Sequence, residues 1–166
     1  MIPAPKPEPK IKKRVKLQTV KSLHRDLWEV FARYIKLRDC LRTTGTKTMG
    51  KCISCGKLHD LEDLQAGHFI TRRAMSIRYH EKNVHAQCAN CNGRLHGNVL
   101  HYADAIVRLY GVSSMELLRA QEHSNRPWKK YELQALIVDY QNKVKSLEGK
   151  SDSERHERMA KKYGVK

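Results

Sequence analysis

Cys52-Ile-Ser-Cys55 and Cys88-Ala-Asn-Cys91 decide how the chain between Lys51 and Asn98 folds. Each is a C-x2-C, and residues 56–87, 32 in all, separate them. Two such knuckles bring four thiolates to the corners of a tetrahedron, the geometry that Zn²⁺ takes in closed structural sites. A redox pair is the competing reading, but redox C-x2-C motifs come singly, at a helix N-terminus in a thioredoxin-like context that this chain lacks. A site closed by Cys52, Cys55, Cys88 and Cys91 keeps no position for water, so its zinc builds the fold and does not catalyse.

Short strands and helices surround the knuckles. Leu64-Gln-Ala-Gly-His-Phe-Ile70 and Val84-His-Ala-Gln87 read as strands, with His80-Glu-Lys-Asn83 in the turn between them. A helix is expected to begin after Cys91, with Asn92 in its first turn. Val99, Tyr102, Ala103, Ile106, Val107 and Tyr110 carry helical spacing on to a C-cap at Gly111, and Gly97 is where an interruption would fall. Upstream, Leu23, Leu27, Val30, Phe31, Tyr34 and Ile35 predict a helix from about Val20 to Cys40 with a basic outer face. Thr43-Thr44-Gly45-Thr46 and Gly50 then break it into a loop. Downstream, Ser113-Ser-Met-Glu116 reads as a capping box for a short helix to about His123. Asn125-Arg-Pro127 opens a last helix to Glu148, ended by Gly149. Its seam of Leu133, Ile137, Tyr140, Val144 and Leu147 suits either packing on the first helix or a coiled-coil-like homodimer contact.

The expected class is α+β. A basic Pro/Lys-rich arm spans residues 1–18, and one zinc-containing domain spans 19–148, with a core module at 51–111 and a helical part at 113–148. A polar basic tail covers 149–166. A formal charge of +16 and a pI near 9.8 point to nucleic acid, because neutralising phosphates releases counterions. Pro3, Pro5, Pro7 and Pro9 keep the arm extended, and its Lys12, Lys13 and Arg14 are candidate DNA contacts. Five cysteines without an apolar leader segment fit a reducing cytoplasm, and no run is apolar enough to span a membrane. Cys40 reads as a buried small hydrophobe.

Strand, strand, helix, carrying His68, Asn83 and Asn92 in that order, resembles the ββα-metal (HNH) nucleases. More specifically, the chain from about Leu23 to the last helix resembles the lambdoid-phage NinG family, also called Rap, "recombination adept with plasmid". The resemblance rests on Cys52-Ile-Ser-Cys55-Gly-Lys, Leu64-Gln-Ala-Gly-His-Phe-Ile-Thr-Arg72, Asn83-Val-His-Ala-Gln-Cys-Ala-Asn-Cys-Asn92 and Gly97-Asn98. The Cys-x2-Cys-Asn ending also looks like endonuclease VII, a junction resolvase. These resemblances imply an endonuclease that cuts branched recombination intermediates, including Holliday junctions and displacement loops. They imply His68 as general base, Asn83 as holder of the loop that orients it, and Asn92 as ligand to a catalytic Mg²⁺ or Mn²⁺.

The HNH pattern usually puts Asp or His, a metal ligand, just before the base, where this chain has Gly67. His96, four residues beyond Asn92, would share its face on a helix and is the expected substitute ligand. A second arrangement makes His68 a ligand and His85 the base. Arg72, Arg73 and Arg78 lie between base and Asn83 and could clamp a phosphate bidentately. Two rivals stand beside the nuclease: a zinc-stabilised DNA-binding protein without activity, and an HNH enzyme nicking duplex without branch preference.

Overall fold

The computed structural model describes residues 18–124 and 126–149. α1 (Val20–Thr44), β1 (Met49–Lys51), β2 (Leu58–Asp60), β3 (Leu64–His68), β4 (Val84–Cys88), α2 (Val99–Tyr110), α3 (Val112–Ala120) and α4 (Lys130–Glu148) follow in that order. The fold is α+β, with helices packed round two antiparallel hairpins, β1–β2 and β3–β4. Among these residues no helix is long and apolar enough to cross a membrane.

α1 is the spine. Thr19 and Ser22 cap it reciprocally, each hydroxyl accepting from the other's backbone N–H. Leu23, Leu27, Phe31 and Ile35 recur every fourth residue on one face, and each is wholly buried. The helix runs a turn past Cys40, because Thr43 and Thr44 return their hydroxyls to the Asp39 and Cys40 carbonyls. Cys40 itself is buried against Gly50, where a Cβ would stand 2.6 Å from its sulfur.

α4 lies along α1. Its Leu133, Tyr140 and Val144 are buried, and Tyr140 meets Phe31 edge to face with ring centroids 4.8 Å apart. The heptad-like seam is therefore consumed inside one chain, and the homodimer contact expected there has no free surface. α4 also begins at Lys130 rather than at Asn125–Pro127, where Glu132 reaches back to the Lys129 N–H. Ser113 is no cap either: α3 starts at Val112 after Gly111, without a side-chain cap bond.

All five residues of β4 are buried, and its outer edge is bonded at Val84 and Ala86. Ile53 N donates to Ala86 O, Ala86 N donates to Asp39 Oδ2 at 2.8 Å, and Arg38 donates to Val84 O at 2.9 Å. A two-stranded sheet can bury its edge only if every backbone group there finds a partner. Asp39, 1% exposed, is balanced by Arg38 at 2.9 Å and Arg42 at 3.1 Å. β3 stops at His68, two residues short of the expected strand, because Phe69 N turns to the Asn83 carbonyl.

The largest departure follows Cys88. No α-helix carries Asn92 on to His96. Instead, a π-helical turn, Asn90–Arg94, is closed by His96, Gly97 and Asn98 at φ of 48°, 91° and 45°. Gly97 does break the helix, as its place in the sequence indicates, and its two neighbours follow it into left-handed backbone.

Asp39 is the charge on which β4 leans. Asp39→Ala should lower the unfolding free energy by about 3 kcal/mol or more, since it strands Ala86 N and two arginines. Glu148→Ala, which breaks an exposed pair with Arg33, should cost under about 1 kcal/mol. Urea denaturation of both variants checks the contrast.

Candidate active site

The knuckles meet. The sulfur atoms of Cys52, Cys55, Cys88 and Cys91 all lie within 4.8 Å of one another, and among the described residues no second group of three or more His, Cys, Asp or Glu ligand atoms converges in this way. The loop between β1 and β2 supplies the first pair, turned by Gly56 N donating to Cys52 O. The end of β4 and the π-turn supply the second, with Cys91 N aimed at Cys88 Sγ at 3.5 Å. Asn98 donates to Cys91 Sγ at 3.5 Å. Four sulfurs at this spacing, three of them buried, fit one tetrahedral zinc ion.

Beside the knot, β3 and the π-turn enclose a cavity of about 350 Å³ lined by Trp28, His68, Arg72, Arg78, Asn92 and His96, among others. His68 Nε2 lies 2.9 Å from the Arg78 carbonyl oxygen. A carbonyl only accepts, so Nε2 carries the proton and Nδ1 keeps the lone pair. Trp28 stacks on the ring, centroids 5.1 Å apart and planes 15° from parallel, which fixes its orientation. Burial holds His68 well below its ordinary 6.5, at about 4; the Arg78 carbonyl pulls upward and the Arg78 and Arg72 charges push further down. The imidazole is thus neutral at physiological pH.

Asn83, fully buried, secures the loop that carries these contacts. Its Oδ1 accepts from Ile70 N at 2.8 Å, and its Nδ2 donates to the carbonyls of Ile70 and Ile77, both at 3.1 Å. Arg78 lines the cavity with its Nε buried and unpartnered, a guanidinium that no carboxylate neutralises among the described residues. A family model described as Bacteriophage Lambda NinG protein matches residues 5–150 of this chain.

The chain belongs to the NinG family. It is 33% identical over 97 residues to the proteins named Protein ninG of Salmonella phage P22 and Escherichia phage lambda. That alignment covers 58% of this chain and 47% of each relative, so the chain spans about half the length of the curated relatives it matches. No solved structure matches it significantly.

Of the residues expected at a NinG-family site, His68, Asn92, His96, Arg72 and Arg78 line one cavity, with Asn83 behind it. Arg73 is exposed and does not line it. Lys12, Lys13 and Arg14 lie outside the described residues. Asn92 and His96 both line the cavity, but His96 stands in left-handed backbone and not one helical turn beyond Asn92. His85 is no base: it is wholly buried, with Nδ1 3.1 Å from the Tyr102 hydroxyl and Nε2 2.9 Å from that of Tyr110. Tyr102 in turn donates to Gly67 O at 2.9 Å, so His85 props β3 from behind. Trp28 and Gln87 escaped the sequence reading. Trp28 lies outside the apolar positions read on α1, and nothing local pairs it with His68. Gln87 stood inside a quoted motif with no role of its own.

His85 is held at about 3, chiefly by burial, with Arg38 and Arg42 adding and Asp39 opposing. Both histidines therefore take up protons near 6.5 when unfolded but resist them when folded. Their stabilisation is complete above pH 6.5 and is lost as pH falls from there toward about 3 to 4. The melting temperature should drop through this window, and His68→Gln should flatten the drop. An identical slope in the variant would show that His68 is charged in the fold.

Proposed function

We propose that this NinG-family chain is a metal-dependent endodeoxyribonuclease of the ββα-metal type that hydrolyses phosphodiesters in branched DNA recombination intermediates. The observation that carries the reading is His68: a neutral imidazole with Nε2 tied to a backbone carbonyl and Nδ1 without a partner among the described residues, in a cavity with two arginines. β3, β4 and the turn that follows are the strand, strand and helix-like elements of such a module, and the sulfur knot holds their junction.

In this reading a water in line with the scissile phosphorus gives its proton to His68 Nδ1. Asn83 and Trp28 keep that nitrogen aimed. Arg78, with Arg72 at the rim, binds the phosphate oxygens; a guanidinium without a carboxylate partner is free to do so. Asn92 and His96, both on the cavity lining, would hold Mg²⁺ or Mn²⁺, which when bound would offset charge developing on the leaving 3′ oxygen. Nothing in the cavity offers donors patterned for base edges, so backbone charge and branch shape supply recognition. Symmetric resolution of a junction needs two copies; their contact is not the α4 seam.

Gly67 favours a second reading, a zinc-stabilised DNA-binding protein without hydrolysis, because it removes a ligand side chain where the HNH pattern has one. Cleavage of a labelled four-way junction and of linear duplex, with Mg²⁺ or EDTA, separates the readings. Wild type should cut the junction faster than duplex and only with metal. His68→Ala should keep binding and lose cutting by about 100-fold or more. Tight binding without cutting under any metal would establish the binding protein, and equal rates on duplex would remove the branch preference.

His96 holds left-handed backbone at an unfavourable φ of 48°, the sort of local strain that persists where a side chain is needed. His96→Gly should raise the unfolding free energy by about 1 kcal/mol while lowering cleavage. A variant both more stable and fully active would take His96 out of the site.

A further inference from the structure

Gln87 is buried in full on β4, yet its Oε1 has no hydrogen-bond partner. The rest of its amide is well placed: Nε2 donates to Ser54 Oγ and to Gly97 O, both at 2.7 Å. Those two bonds settle which way the amide faces, and they turn Oε1 toward Gly67 on the paired strand. A carbonyl oxygen buried dry and unpaired costs roughly 1–3 kcal/mol, so this one calls for an explanation.

The space it faces supplies one. A Cβ at Gly67 would overlap Gln87 Oε1, would lie 2.8 Å from Gln87 Cδ, and would lie 2.9 Å from Asn92 Oδ1. Asn92 Nδ2 donates to Gln65 Oε1 at 2.8 Å, which leaves its Oδ1 toward the same small space. Two amide oxygens from different elements therefore converge on the place where a side chain at residue 67 would be. Oxygen donors of this kind are what Mg²⁺ and Mn²⁺ accept, with waters completing the shell.

We propose that Gln87 Oε1 is a ligand to the divalent cation held by Asn92, replacing the side chain that Gly67 lacks. The ligand has moved across the β3–β4 pair: β3 gives up its side chain, and β4 fills the room from the other strand. Gly67 is then required because any Cβ would expel the donor. The same arrangement ties the two metal sites together, since Ser54, which orients Gln87, sits between Cys52 and Cys55.

This inference rests on the nuclease reading for its use but not for its test, which reads binding. Mn²⁺ is titrated into zinc-loaded protein, without DNA, and followed by electron paramagnetic resonance. Gln87→Ala should weaken Mn²⁺ binding by about tenfold or more. Adding Gly67→Asp to Gln87→Ala returns a ligand to β3 in the space vacated and should restore it. Should Gln87→Ala fail to fold, Mn²⁺ on wild type should still broaden the Gln87 and Asn92 side-chain amide resonances first. Unchanged affinity in Gln87→Ala, or broadening that spares Gln87, overturns the proposal; Gln87 then belongs to a closed amide network in which Asn92 is turned over and donates to Oε1. Binding lost in Gln87→Ala from a wild type that never cuts DNA would sustain this site and end the nuclease reading.

Discussion

Four sulfur atoms within reach of one ion are the constraint on which the rest of the candidate site depends. A chain this size with a two-stranded central sheet has little else to hold the end of β4. The knot joins two places distant in sequence, the β1–β2 loop and the β4 terminus, and each residue at the join does something for the cavity. Ile53, inside the first knuckle, bonds the β4 edge at Ala86. Ser54 orients Gln87. Cys91 is followed at once by Asn92, so an ion held by the four sulfurs would also set where a cavity-lining amide stands.

Two histidines in one hairpin show how neighbours, and not residue type, assign roles. His85 has both ring nitrogens against tyrosine hydroxyls and serves as a wedge behind Gly67. His68 has one nitrogen on a carbonyl, a tryptophan on its face, and a cavity before the other. Both are kept neutral by burial, yet only His68 keeps an unoccupied acceptor that a solvent molecule can reach. The arginines around it raise the local positive potential, which suits a phosphate backbone and keeps the imidazole from charging.

Much of this was legible in the sequence because it is periodic or strictly spaced. The every-fourth apolar residues of α1 and the apolar spacing of α4 announce helices, and the paired C-x2-C motifs favour a metal over a redox pair. What was hidden is non-local or conformational. Asp39 carries no local signal, and nothing nearby says that it binds a strand edge 47 residues on. The left-handed turn at His96 and Asn98 puts two non-glycine residues at positive φ, which His and Asn tolerate better than most residues but which no local pattern announces. Gly67 was visible as a missing ligand, but its complement, Gln87, appears only once the register sets the two strands side by side. The seam of α4 permitted two partners, and packing chose the one within the chain.

The most direct test of the account is anomalous diffraction from crystals of the zinc-loaded His68→Ala protein with a four-way junction and Mn²⁺. The account predicts a zinc peak among Cys52, Cys55, Cys88 and Cys91, and a manganese peak beside Asn92 with a junction phosphate between it and residue 68. A zinc peak alone, with the DNA lying away from the cavity, would contradict it.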